Sequence, residues 1–267
     1  MGMDDYRSRI YARYATAIQD AGARFDYPGA LRWSRPYRRY LRGWLPLNHD
    51  AAILEVGCGS GHLLHLLGRL GYSDVTGVDL SPEQVALARQ VCPNVVEADA
   101  IEWLKGKDGQ YDLIVALDVV EHLRKEEVLL FLDACCDSLK PGGRLILQTP
   151  NAESAFGLGI RYGDFTHEVG FTPDCLARLL ALSGFDGAEP RETGPAVHGV
   201  CSAIRFTLWR LVRLGIMAWN AVETGGVGSR IVTRVFLISA VRRASGRGLY
   251  GGAPGEDRRR EAGQGCD

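Results

Sequence analysis

The sequence predicts an α/β fold with a doubly wound, largely parallel sheet, on three observations. From residue 51 onward, strand-like apolar runs alternate with amphipathic helical patterns, the order that builds βαβ units. The first run, Ile53-Leu54-Glu55-Val56, ends in a glycine-rich turn, Gly57-Cys58-Gly59-Ser60-Gly61, that opens a leucine-patterned helix. A ligand can lie directly on such a turn. Acidic residues then recur after later strands, at Asp79, Asp99 and Asp118, where ligands of doubly wound sheets sit.

Ahead of the sheet, residues 4–20 carry Tyr6, Ile10, Tyr14, Ala17 and Ile18 at helical spacing. Residues 31–45 mix Leu31, Trp33, Tyr37, Tyr40, Leu41 and Trp44 with Arg32, Arg35, Arg38, Arg39 and Arg42. Two helices are expected there, and the arginines read either as a solvated face or as a lid or anionic-partner patch. Strands are expected at 52–56, 74–79, 94–97, 111–117 and 143–149, with helices at 61–71, 82–91 and 124–139. Ser81-Pro82 caps and starts the second helix, and Pro141-Gly142-Gly143 turns the chain into the fifth strand. Beyond Asn151, Thr172-Pro173 starts a helix with Leu176, Leu179, Leu180 and Leu182 on its inner face, ending near Gly184. Phe185 onward and 235–241 are expected to form an antiparallel edge pair. The organisation that follows is an N-terminal helical lid over 1–48 and one domain over 49–243. A helical insertion interrupts that domain at 198–229, and a tail over 244–267 is expected to be disordered from its composition.

Composition narrows the class. A chain of 267 residues with 46% hydrophobic content can bury one substantial core. A net charge of −1 supplies no global basic field, which argues against a dedicated binder of duplex nucleic acid. Seven cysteines, Cys135-Cys136 adjacent and none in C-x-x-C spacing, read as reduced thiols of a cytoplasmic protein. The N-terminus lacks the order of a signal peptide, and no apolar run is long enough for a membrane span. A cytoplasmic or membrane-peripheral protein is expected.

The ligand is read from the turn and its surroundings. His62 stands where a dinucleotide fingerprint has its third glycine, and Glu55 precedes the turn, where a carboxylate suits a ligand bearing an ammonium group. S-adenosylmethionine has that ammonium and no phosphate. Asp79 can accept hydrogen bonds from both hydroxyls of a ribose, a role that fits NAD equally well. Asp99 can accept from an adenine amino group, or simply cap the helix beginning near Ile101.

Glu55 to Gly61, Asp79, Asp99, Asp118-Val119-Val120-Glu121-His122 and Leu139-Lys140-Pro141-Gly142-Gly143 resemble, in order and spacing, the motif series of class I S-adenosylmethionine-dependent methyltransferases. The resemblance covers residues 50–185. It extends to the ubiquinone-type O-methyltransferases and similar enzymes of glycan and natural-product pathways through Asp118-x-x-Glu121-His122, Thr149-Pro150-Asn151, Thr166-His167-Glu168 and Phe171-Thr172-Pro173. It implies a Rossmann-like seven-stranded methyltransferase sheet with a reversed last hairpin. It also implies cofactor contacts: Glu55 for the methionine ammonium; Gly57, Cys58, Gly59 and Gly61 for the cofactor backbone; Asp79 and Leu80 for the ribose; Asp99 and Ala100 for the adenine; and Leu117 as the floor of the methyl-donor site.

The implied activity is O-methylation of a hydroxyl on a sugar, glycan, glycolipid or natural-product intermediate. N- or C-methylation and cofactor binding without turnover are the alternatives. His122 and His167 are the candidate bases, with Glu121 as an orienting carboxylate. Asp118, Glu121, His122 and His167 also resemble the open divalent site of metal-assisted O-methyltransferases, which would take Mg2+ or Mn2+. Finally, Cys201 to Trp219 sets Arg205, Arg210 and Arg213 beside Leu208, Leu211, Leu214 and Trp219. Such a helix can dock on a membrane or a lipid-linked substrate, or pack on the core or a second subunit.

Overall fold

A computed structural model describes residues 6–18 and 22–244 of the chain; apart from Ala244, the expected tail lies outside the described residues. Seven strands form one sheet in the order β3-β2-β1-β4-β5-β7-β6. They are β1 (Ile53–Val56), β2 (Val75–Asp79), β3 (Val95–Glu97), β4 (Tyr111–Leu117), β5 (Leu139–Pro150), β6 (Phe185–Glu192) and β7 (Val235–Arg242). The first five run parallel, while β7 is antiparallel to both β5 and β6. That is the seven-stranded, doubly wound arrangement with a reversed hairpin. The strand order changes direction at β1, with β2 on one side and β4 on the other, and the crevice at such a point is where ligands bind.

Both faces of the sheet are buried, which explains the near-continuous apolar strands. Leu54, Val56, Ile114 and Leu145 pack with Phe131, Phe171, Leu176 and Phe236 on one face. Ile53, Leu113, Val115 and Ile146 pack with Leu63, Leu67 and Val85 on the other. Leu41 and Trp44 join that second cluster, so the segment preceding residue 49 contributes to the same core.

The helices depart from expectation mainly at their ends. The pattern over 4–20 is broken into α1 (Tyr6–Tyr11) and α2 (Tyr14–Ala17). The arginine-rich helix, α3 (Tyr27–Tyr40), begins earlier than residue 31, because the Asp26 side chain accepts from Gly29 N and Pro28 fits its first turn. It stops before Leu41. Next come α4 (His62–Leu70), α5 (Pro82–Ala88), α6 (Ala100–Leu104) and α7 (Lys125–Ser138); α5 is shorter than the expected 82–91. Strand β5 starts at Leu139, four residues before the expected 143, pairing back to Tyr111 around an irregularity in the ladder. Two further helices, α8 (Gly157–Arg161) and α9 (Pro173–Leu182), separate β5 from β6, and α10 (Val200–Thr224) fills the insertion before β7.

Candidate active site

The carboxyl ends of β1, β2 and β4 open on a cavity of about 570 Å³. One half is built by the glycine turn and the two acidic residues beyond it. Gly57, Gly59 and Gly61 all have positive φ, but they serve different ends. A side chain on Gly57 would strike Val119, its Cβ falling 2.3 Å from Cγ2. At Gly61 the Cβ would press on the Ala88 backbone at 3.0 Å, so this glycine lets α4 pack on α5. At Gly59 nothing comes closer than 4.0 Å, and this residue lines the cavity.

Asp79 is anchored by that turn. Its Oδ2 accepts from Gly59 N and its Oδ1 from Ser81 N, each at 2.8 Å. Burial raises its pKa while the backbone donors of Ser81 and Gly59 oppose the rise. Asp99 caps α6, Oδ1 taking both Ile101 N and Glu102 N at 2.9 and 3.0 Å. The capping alternative therefore holds, and Asp99 lines the cavity as well.

Of the expected cofactor residues, Gly57, Gly59, Asp79, Leu80, Asp99, Ala100 and Leu117 line the cavity, whereas Glu55, Cys58 and Gly61 do not. The reason is the strand's alternation. Glu55 points with Ile53 toward the face under α4, where it is buried and bonded by the Leu64 backbone; its Oε2 has no partner. Burial, then the neighbouring Asp79, drives its pKa well above the ordinary carboxyl value. Cys58 is buried against β2, about where a side chain on Gly77 would stand. In this structure the three residues stand behind the cavity lining, around the turn.

The other half of the cavity is assembled from three distant segments. After β4 a short 3-10 turn, Val120–His122, brings His122 into the cavity wall and buries Glu121 behind it. Glu121 is fully buried, and neither carboxylate oxygen has a well-formed hydrogen bond beyond a weak one from the Thr149 hydroxyl. Burial, then Asp118, raises its pKa well above the usual range. The ring centroids of His122 and His167 lie 4.7 Å apart, and one ligand atom each from Glu121, His122 and His167 falls within 4.8 Å of the others. Asp118, expected in the same set, stands outside it. It lines the same cavity with a φ of 56°, and its Oδ2 accepts from Gln148 Nε2 at 2.7 Å. Gln148 in turn accepts from the Tyr37 hydroxyl at 2.8 Å.

Hydrogen bonds fix both imidazoles. The Thr166 hydroxyl donates to Asp164 Oδ1 at 2.6 Å and so is left to accept from His122 Nδ1–H at 2.8 Å. His167 Nδ1 faces two carbonyls, of Ile160 and Arg161, each at 3.2 Å, and must donate to them. In both rings Nδ1 is thus the donor, and Nε2 is the nitrogen left for a proton or an ion. Burial, then the neighbouring His167, pushes the His122 pKa down to about 4, so His122 is neutral at physiological pH.

Sequence reasoning did not assign Asp164, Arg7, Tyr11 or Tyr14 to the site, yet all four line the cavity. Tyr14 donates to Asp164 Oδ2 at 2.8 Å. Arg7 holds Glu127 with Nη1 and the His122 carbonyl with Nη2. Burial raises the Tyr11 pKa to about 12, so its phenol stays protonated. The signal for Asp164 was its place two residues before Thr166 in a loop; the N-terminal residues gave only a helical rhythm.

Residues 6–189 match the model of a protein family described as a methyltransferase domain. The ubiquinone biosynthesis O-methyltransferase of Nitrobacter winogradskyi is 34% identical over 176 residues, 57% of this chain and 64% of that protein. The protein of that name from Chelativorans sp. is 34% identical over 148 residues, 49% of this chain and 57% of its own. The chain thus spans less than two thirds of either relative. Among solved structures, a SAM-dependent methyltransferase from Archaeoglobus fulgidus aligns with a TM-score of 0.60 and 23% identity, covering 89% of this chain and 100% of that one. Phosphoethanolamine N-methyltransferase 2 of Haemonchus contortus aligns with a TM-score of 0.57 and 16% identity over 91% of this chain and 61% of that one. At these identities the likeness is one of fold.

Proposed function

The chain belongs to the class I S-adenosylmethionine-dependent methyltransferase family, and from that premise we propose that it transfers a methyl group to a hydroxyl oxygen of a small-molecule acceptor. The acceptor class proposed is a sugar, glycan, glycolipid or natural-product intermediate. The relatives, named as ubiquinone biosynthesis O-methyltransferases, support transfer to oxygen. The observation that carries the reading is the pair of imidazoles, each with Nδ1 engaged as a donor and Nε2 left over, beside a buried carboxylate.

The cavity's donor set fits the cofactor. Each carboxylate offers about four lone-pair sites; Asp79 spends one per oxygen on Gly59 and Ser81, leaving one per oxygen for a pair of ribose hydroxyls. Asp99 gathers both cap bonds on Oδ1 and leaves Oδ2 for an amino group. The cofactor, when bound, supplies an electrophilic methyl on a sulfonium. The chain's own residues then align the acceptor oxygen and receive its proton. His122 Nε2 takes the proton, and Asp164, through Thr166, holds the ring in the accepting tautomer.

A second reading is favoured by the same hydrogen bonds. Histidines that ligate metals characteristically donate their other N–H to a carbonyl or an oxygen partner, as both imidazoles do. Glu121, His122 and His167 would hold a divalent ion such as Mg2+ or Mn2+, which lowers the pKa of a coordinated hydroxyl. In that case the acceptor proton leaves to solvent or to a neighbouring carboxylate. Transfer of labelled methyl to an acceptor panel, before and after exhaustive chelation and with each ion added back, separates the readings. Full turnover in the chelated enzyme removes the metal reading. Absence of transfer to any hydroxyl, with transfer to amines, removes the O-methyl assignment.

A further inference from the structure

Helix α10 leaves the sheet after Glu192 and returns at Val235, residues that lie beside Phe236 and Pro150 in the pairing. It therefore projects from the same carboxyl edge that carries the cavity. Its inner side is tied down: Arg213 pairs with Glu192 at 3.1 Å, Trp209 lies against Gly194, and Phe206 sits under the Arg39 guanidinium of α3 at 5.4 Å. The outer side has no covering. Val200, Ile204, Leu208, Leu211, Trp219 and Val222 are all exposed, Trp219 at 72% and Val222 at 88%. At about 100° per residue they fall within an arc of roughly 100°, a continuous apolar stripe along the helix. Arg205 and Arg210 are exposed on its two opposite borders, and no described carboxylate pairs with either.

We propose that α10 lies in the plane of an anionic lipid bilayer, its apolar stripe in the acyl boundary and Arg205 and Arg210 reaching lipid phosphates. The charge around the stripe selects this occupant. From Thr193 to Val222 the chain has no Asp or Glu, and neither has the stretch 27–49, whose Arg39 lies over Phe206 of α10. A second copy docking through a twofold contact would set this basic surface against itself. An anionic surface is its complement, and arginines flanking an apolar face are built to keep their charged heads in the headgroup layer. A span is excluded, since no described helix is long and apolar enough to cross a membrane. Phe156 and Leu158, at the start of α8, are also exposed at this edge, 65% and 70%. They give the cleft a second apolar border, so that docking would set the cavity mouth against the lipid surface.

The test is cosedimentation of the full chain with vesicles of phosphatidylcholine alone or mixed with phosphatidylglycerol, at low salt, alongside sedimentation velocity without lipid. Binding to the mixed vesicles is expected, weakened about tenfold or more in the Leu208→Glu/Leu211→Glu variant and again in Arg205→Glu/Arg210→Glu. Trp219 emission should shift to the blue on vesicle addition, a shift lost in Trp219→Phe. Failure to sediment with either vesicle overturns the proposal, as does equal binding by the parent and the Leu208/Leu211 variant. A lipid-free dimer that the same variant dissolves also overturns it, because the stripe would then belong to a second copy. Retained S-adenosylmethionine binding shows that each variant is folded.

Discussion

The two halves of the cavity treat their carboxylates in opposite ways. On the cofactor side, Asp79 and Asp99 are held by backbone N–H groups within a few residues, or across one strand from the turn. On the acceptor side, Glu121 is fully buried with its oxygens all but unpartnered. The first arrangement is locally satisfied and poised to bind. The second leaves a polar group in a position that costs free energy unless something else completes it, as functional sites often do. Under the proposed function, binding of the donor and reaction at the acceptor are separable tasks, and substitutions should divide along that line.

The largest effect belongs to the acceptor half. His122→Ala should lower kcat/KM by about 10²–10⁴-fold in labelled methyl transfer, while calorimetry with S-adenosylmethionine shows an affinity close to the parent's. An equal loss of affinity would mean that the two halves are one binding site, and the contrast would collapse. Next is Asp79→Ala, which should weaken S-adenosylmethionine by about 1–3 kcal/mol, the scale of unmade hydrogen bonds to a charged group. Saturating cofactor should restore much of its turnover.

The pH dependence sharpens the same division. His122 titrates near about 4 in the folded chain, against about 6.5 when unperturbed. Between those values the unfolded chain binds the extra proton, so stability from this residue is present above about pH 6.5 and is lost as pH falls toward 4. Catalysis follows the folded group: the acid limb of the kcat/KM profile should lie near pH 4, about where the folded group titrates, and not at about 6.5. A limb at 6.5 that persists in His167→Ala would assign the titration elsewhere and contradict the buried, neutral His122.

How far the molecule was legible in its sequence follows from the same contrast. The parallel strands, the glycine turn, and Asp79 and Asp99 rest on short-range backbone patterns, and the structure bears out their positions. Glu55 was read correctly as the end of a strand. Its direction follows from the two-residue alternation of β1, which sets it with Ile53 behind the turn, and the motif spacing alone does not state it. Of the expected ion-binding set, Asp118 lines the cavity but falls outside the cluster of Glu121, His122 and His167. Asp118 adopts a left-handed conformation before the 3-10 turn begins, and no periodicity announces that. The roles of Tyr14 and Asp164 were illegible, since they depend on a hydrogen bond between residues 150 apart in sequence.

That contact carries the smallest expected effect. Tyr14→Phe removes one hydrogen bond to Asp164 and should cost about 0.5–1.5 kcal/mol of transition-state stabilisation. It should appear in kcat or in the acceptor KM, with donor affinity unchanged. A loss confined to donor affinity would place Tyr14 on the wrong side of the divide.

The most direct measurement pairs two readings on the same preparations: S-adenosylmethionine affinity by calorimetry, and labelled methyl transfer to a hydroxyl acceptor, for the parent, His122→Ala and His167→Ala. The account predicts an unaltered donor affinity in all three and a collapse of transfer in at least one variant. Undiminished transfer in both variants would contradict it, because neither imidazole would then be a base or a metal ligand for the reaction.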